Sequence, residues 1–145
     1  MKKKLRKKNS LDGVIVHLLH RVSQRADDLF TKEVGEIGLT PRQFAVLLAA
    51  AQSEAPTQTD IVDSTGIDRS TVAQMMPRMV KKGLLQRRRS RQDARAIVVR
   101  LTKTGRNTLR ATVPLAVRSG TALLASLSEE QRKALVEALK AIANS

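Results

Sequence analysis

Cysteine, tryptophan and tyrosine are missing from this chain of 145 residues, and Phe30 and Phe44 are its only aromatics. Without cysteine there can be no disulfide and no thiolate chemistry, and a cytoplasmic setting is the natural expectation. So few aromatics argue against a β-sandwich; the 41% apolar content, mostly Leu, Val, Ala, Ile and Met, points instead to packed helices. No uncharged apolar run approaches the roughly 18 residues of a membrane span, so no membrane partner is expected. The basic start, Met1 to Lys8, leads into a stretch broken by Asp12, His17, His20 and Arg21, with no small-residue cleavage site, which is not the pattern of a signal peptide.

Chemical motifs are equally scarce. No Gly-rich phosphate loop, nucleophile elbow or metalloprotease motif occurs, so no enzyme and no cofactor is expected. His17 and His20 lack cysteine or a third ligand at a clear spacing, and no metal site follows from them. Acidic residues are the last shortage. Thirteen of them face 27 lysines and arginines, a net charge of +14 that favours a polyanionic partner.

What is present is mainly helical periodicity. Leu11, Val14, Ile15, Leu18, Leu19, Val22, Ala26, Leu29 and Phe30 recur at three- and four-residue steps, predicting an amphipathic helix over about 12–34. Thr40-Pro41 opens a second helix that ends before Pro56, and Thr57 caps a short third one closed by Gly66. Asp68 or Ser70 caps a fourth, Thr71 to Lys82, in which Pro77 predicts a kink or a shortened first segment. Helix, glycine turn and helix in this order form a helix-turn-helix.

The period then changes to that of strands. Leu84–Arg89 and Ala96–Leu101 flank a polar turn and read as a β-hairpin. A long helix resumes from about Lys103, with a bend expected at Pro114, and the Ser128-Glu-Glu-Gln131 capping box opens a last one. The fold class is therefore mainly α with a small β-hairpin wing (α+β). A basic arm at 1–10 precedes one winged helix-turn-helix domain at 11–145. Its DNA-binding lobe covers about 40–102, and its dimerisation helices about 11–35 and 103–144.

A helix-turn-helix followed at once by a basic hairpin is an arrangement for reading duplex DNA, since an α-helix fits the major groove. Arg69, Ser70, Thr71 and Gln74 occupy the start of the fourth helix, where base edges are met; Lys81 and Lys82 suit backbone phosphates. Helix capping alone would also explain Asp68, Ser70 and Thr71. The surroundings favour DNA: from Arg78 to Arg95 the cations Arg78, Lys81, Lys82, Arg87, Arg88, Arg89, Arg91 and Arg95 face one acid, Asp93, whereas an ordinary solvated face mixes both signs.

In Leu39-Thr-Pro-Arg-Gln-Phe-Ala-Val-Leu47, Thr65-Gly-Ile-Asp-Arg-Ser-Thr-Val72, Lys82-Gly-Leu-Leu85 and Arg87-Arg-Arg-Ser-Arg-Gln-Asp-Ala-Arg95, continued by Val99-Arg-Leu-Thr-Lys-Thr-Gly105, the sequence closely resembles the MarR family of bacterial regulators. The resemblance implies that Arg95 enters the minor groove from the wing tip and that Asp93 orients it by a salt bridge; an exposed turn pair is the alternative. It also implies a homodimer built from the first and last two helices, set on a pseudo-palindromic operator. The leucines and valines of the terminal helices, more than a small winged domain can bury, support that dimer independently.

Many members of the family release DNA on binding a small effector, and the resemblance implies a cleft for it. His17, His20 and Arg21 stand on one helix face and can receive a carboxylate. Phe44, Met75, Met76, Met79, Leu115 and Arg118 supply apolar walls and a second cation, although methionines at such spacing also serve as core filler. The expected effector is a small anion, an aromatic acid or an acyl-coenzyme A type of ligand; the Lys2–Lys8 arm is read first as a flexible solvated tail, with DNA phosphates or the phosphates of an acyl-coenzyme A as its alternative partners. The expected function is that of a repressor; an architectural or nonspecific nucleic-acid binder and a protein-interaction module are the competing classes.

Overall fold

The computed structural model describes residues 11–145, so the basic arm at 1–10 lies outside the described residues. A single 3₁₀ turn at Leu11–Gly13 precedes helix α1 (Ile15–Val34), and another at Gly35–Ile37 precedes α2 (Pro41–Ala50). Then follow α3 (Gln58–Thr65), α4 (Arg69–Lys81), strands β1 (Leu85–Arg89) and β2 (Ile97–Leu101), α5 (Lys103–Leu123) and α6 (Glu129–Ala143). The architecture is mainly helical with one antiparallel hairpin, as the sequence patterning requires.

The helix starts are written in side-chain chemistry. Thr40, Thr57 and Ser128 each accept from the amide three residues on, while Gln43, Asp60 and Gln131 return a bond to the cap's own amide. Each reciprocal pair satisfies two of the amides that a helix start leaves unpaired. Asp68, rather than Ser70, caps α4, which therefore begins at Arg69 and not Thr71. Pro77 neither breaks nor shortens that helix, and α5 runs unbroken through Pro114; both prolines are exposed.

The described residues divide into two compact units, 34–116 and 11–33 with 117–145. In the central unit α2 packs on α3, α3 on α4, and α4 on β1, with β2 against α2 and α3. Val46, Leu47, Ile61, Val72, Met76, Met79, Leu85 and Val99 are sealed from solvent there. The hairpin pairs Leu85 with Leu101, Arg87 with Val99 and Arg89 with Ile97. A further bridge from Thr57 to Val98 and the bond from the Val99 amide to the Pro56 carbonyl tie β2 to the segment before α3.

The central unit, 34–116, takes in the first half of α5. Leu109 and Thr112 are buried, and Gly105 lies so close to β1's entry that a Cβ there would stand 2.0 Å from the Leu84 carbonyl oxygen. The terminal unit is different in kind. Among its described residues only Phe30 and Ser119 are buried.

Candidate nucleic-acid interface

Helix α4 separates its two faces by the 3.6-residue period. Val72, Met76 and Met79 point into the core, and Arg69, Ser70, Gln74, Arg78 and Lys81 stand exposed, with Lys82 just past the helix end. Gly66, in the left-handed region at φ +69°, ends α3 and allows the tight turn into α4, a conformation a Cβ would disfavour.

At the start of α4 the Asp68 carboxylate collects three donors. The Thr71 amide donates at 2.9 Å, the Thr71 hydroxyl at 2.7 Å and the Ser70 hydroxyl at 2.7 Å. Above all the Thr71 hydroxyl, then its amide and the Ser70 hydroxyl, hold the Asp68 carboxyl down at about 2. The capping reading and the DNA reading of Ser70 and Thr71 thus share one geometry: both hydroxyl protons are committed to Asp68, and the oxygens keep lone pairs. Arg69 reaches back to the Thr59 hydroxyl at 3.4 Å, a residue the sequence reading did not single out.

The wing tip is fixed by its own short-range bonds. Ser90 Oγ accepts from the Gln92 and Asp93 amides at 3.2 and 3.3 Å, and Asp93 Oδ1 accepts from the Arg95 amide at 2.9 Å. The expected Asp93–Arg95 salt bridge is not formed in this structure: Asp93 holds the backbone of Arg95 and leaves its guanidinium exposed. An exposed ion pair gains little in water, whereas the local amide is a fixed donor within reach. Arg89, Arg91 and Arg95 are all exposed.

Register adds one cation, Arg100, to those named from the sequence. Gln86 and Arg88, opposite Arg100 and Val98, share the hairpin face turned away from buried Val99. That face lines a hollow of about 460 Å³ with Thr57, Arg91 and Gln92 and no carboxylate. Alternation along Ile97-Val-Val-Arg-Leu101 was the signal that would have found Arg100.

The residues expected to hold an effector do not behave alike. His17, His20, Arg21 and Arg118 belong to the terminal unit, Phe44 and Met76 to the central one. His17 and Phe44 are half-buried and His20 is exposed. Met76 is fully enclosed in the lobe core, which corrects its expected place on a pocket wall: the period that exposes Gln74 and Arg78 turns Met76 inward. Met79 is enclosed in the same way. Arg21 pairs with Asp12 at 3.4 Å and Arg118 with Glu33 at 3.3 Å, so both guanidiniums already have carboxylates. Among the described residues no group of three or more metal-ligating side chains occurs, and no helix is long and apolar enough to cross a membrane.

The sequence profile of the MarR family matches residues 37–96. The chain is 27% identical over 129 residues to the transcriptional repressor NicR of Pseudomonas putida, covering 89% of this chain and 82% of that one. The solved structure of BpsR from Bordetella bronchiseptica, in work on regulation of its DNA binding by 6-hydroxynicotinic acid, superposes with a TM-score of 0.86 at 30% identity, over 92% of this chain and 95% of that one. The repressor CouR, solved on a 23-mer DNA duplex, superposes with a TM-score of 0.84 at 33% identity, over 93% and 96% of the two chains.

Proposed function

Since this chain belongs to the MarR family, we propose that it is a DNA-binding transcriptional repressor that occupies a pseudo-palindromic operator as a homodimer and leaves it on binding a small anionic effector. The observation that carries the DNA reading is the exposed stripe of α4, Ser70, Gln74, Arg78 and Lys81, beside a hairpin whose tip holds Arg91 and Arg95. Gln74 is suited to adenine edges, Arg69 to guanine or phosphate, and Lys81, Lys82 and Arg78 to phosphates. Arg95, freed from Asp93 in the unbound protein, is available to the concentrated negative potential of a narrow minor groove.

The dimer is supported by the terminal unit. Leu11, Ile15, Val16, Val22, Val117 and Ile142 are more than half exposed in one copy, with Leu139 close behind. A second copy related by a two-fold axis covers such a surface with the same surface, and it sets two α4 helices about one duplex turn apart. The ligand-release half of the proposal is supported by BpsR, whose DNA binding responds to 6-hydroxynicotinic acid.

The deciding experiment is a salt-titrated DNA-binding assay. A specific repressor keeps a preference of roughly a thousandfold or more for its operator at physiological salt, whereas a charge-driven binder loses discrimination together with affinity. Equal binding to operator and scrambled duplex at that salt would replace this reading with the architectural one.

A further inference from the structure

A second hollow, of about 600 Å³, lies on the central unit, where β2, the end of α2 and the first half of α5 meet. Arg100, Arg106 and Arg110 stand around it, and Leu109 and Val113 form an apolar side. Among the described residues none of these three guanidiniums is in an ion pair, and Glu54 at the rim is the one carboxylate of the lining. The net charge there is positive.

The cations are placed against the usual preferences of a helix. Arg106 and Arg110 are four residues apart on α5, so they repel one another. Lys103 and Arg106 occupy the positive end of the helix macrodipole, and the first turn of α5 holds no acid to offset them. Arg106 Nη1 donates to the Leu101 carbonyl at 3.0 Å, which holds its guanidinium beside β2 while the other N–H groups stay free. A bound anion would relieve both the mutual repulsion and the unfavourable end of the dipole. The neighbouring apolar side chains add a requirement that phosphate or sulfate alone does not meet: Val113 is 39% exposed, an apolar surface open to a ligand body.

We propose that this hollow binds a small organic anion, its carboxylate among Arg100, Arg106 and Arg110 and its apolar body against Leu109 and Val113. His17, His20 and Arg21 are not among its lining residues, and its occupation does not depend on whether the ligand releases DNA.

The test uses the full chain without DNA, with benzoate and 6-hydroxynicotinate as probes and benzamide and inorganic phosphate as controls. Amide chemical shifts are followed in titrations of the wild type and of R106Q/R110Q. Saturable shifts at Arg106, Leu109, Arg110 and Val113, with roughly tenfold or weaker binding in the double variant at an unchanged melting temperature, support the site. Should the double variant unfold, R100Q, on the exposed hairpin face, takes its place with the same expectation. Shifts centred instead on His17 and His20, no saturable binding, or phosphate binding as tight as benzoate would each overturn it. Loss of operator affinity on adding the probe is scored separately, because its absence bears on ligand-controlled repression and not on this site.

Discussion

Asp68 Oδ2 accepts the Thr71 hydroxyl at 2.7 Å while its Oδ1 accepts the Thr71 amide at 2.9 Å, so one carboxylate fixes both the start of α4 and the orientation of a side chain on it. Those bonds depress the Asp68 carboxyl from 3.8 to about 2, the Thr71 hydroxyl contributing most. A folded value below the unfolded one contributes stability that is complete above about pH 4 and is lost as the pH falls toward 2. Asp60 is lowered as well, chiefly by the Thr57 amide, and acts in the same sense. The melting temperature should therefore fall across that acid window, and the fall should flatten in D60N/D68N. A double variant with the full wild-type dependence would show that other groups carry it.

The commitment of the Ser70 hydroxyl proton to Asp68, at 2.7 Å, has a consequence for base reading. An oxygen left with lone pairs accepts from the amino groups of adenine or cytosine and offers nothing to a phosphate. Ser70→Ala is expected to relax base preference at one operator position with the salt dependence unchanged, while Lys81→Ala weakens binding to all sequences and lowers the log–log salt slope by about 1. Identical salt slopes for wild type and K81A would remove Lys81 from the phosphate contacts.

Gly105 is held by close approach, not by an unusual backbone angle. A Cβ at that position would sit 2.0 Å from the Leu84 carbonyl oxygen, a backbone atom that already accepts from the Thr102 amide. Gly105→Ala forces β1's entry and α5 apart and should cost about 1–3 kcal/mol, in the range of overpacked cores. Chemical denaturation with an unchanged midpoint would show that the strand absorbs the methyl group.

The terminal helices make a prediction about assembly. Leu139 and Ile142 are 45% and 65% exposed and belong to a unit with almost no interior of its own. L139E/I142E should shift the protein toward monomer in sedimentation velocity and lower operator affinity by an order of magnitude or more, since each copy then engages a half-site alone. A double variant that remains dimeric would place the interface elsewhere.

Much of this molecule is readable residue by residue because the determining interactions are local. Thr40, Thr57 and Ser128 announce helix starts by chemistry that acts over three residues, and the switch from Val72-Met76-Met79 spacing to Leu85 and Val99 alternation announces where helices yield to the hairpin. The exposed stripe of α4 is legible for the same reason: once Val72 and Met76 are apolar, the helical period exposes Ser70, Gln74 and Arg78. Where the reading failed, distance along the chain was the cause. The side chain of Met76 suits both a core and a pocket wall, and only packing against the rest of the central unit separates the two.

The order of elements, the caps, the basic surface and the exposed polar stripe of α4 were determined by the sequence itself, through hydrogen bonds and periodicities that span a few residues. Tertiary structure alone decided that Gly105 lies against Leu84 and that Arg100, Arg106 and Arg110 converge on one hollow. Those outcomes depend on which backbone and side-chain atoms become neighbours when a strand and a helix pack, and no short-range pattern encodes that proximity.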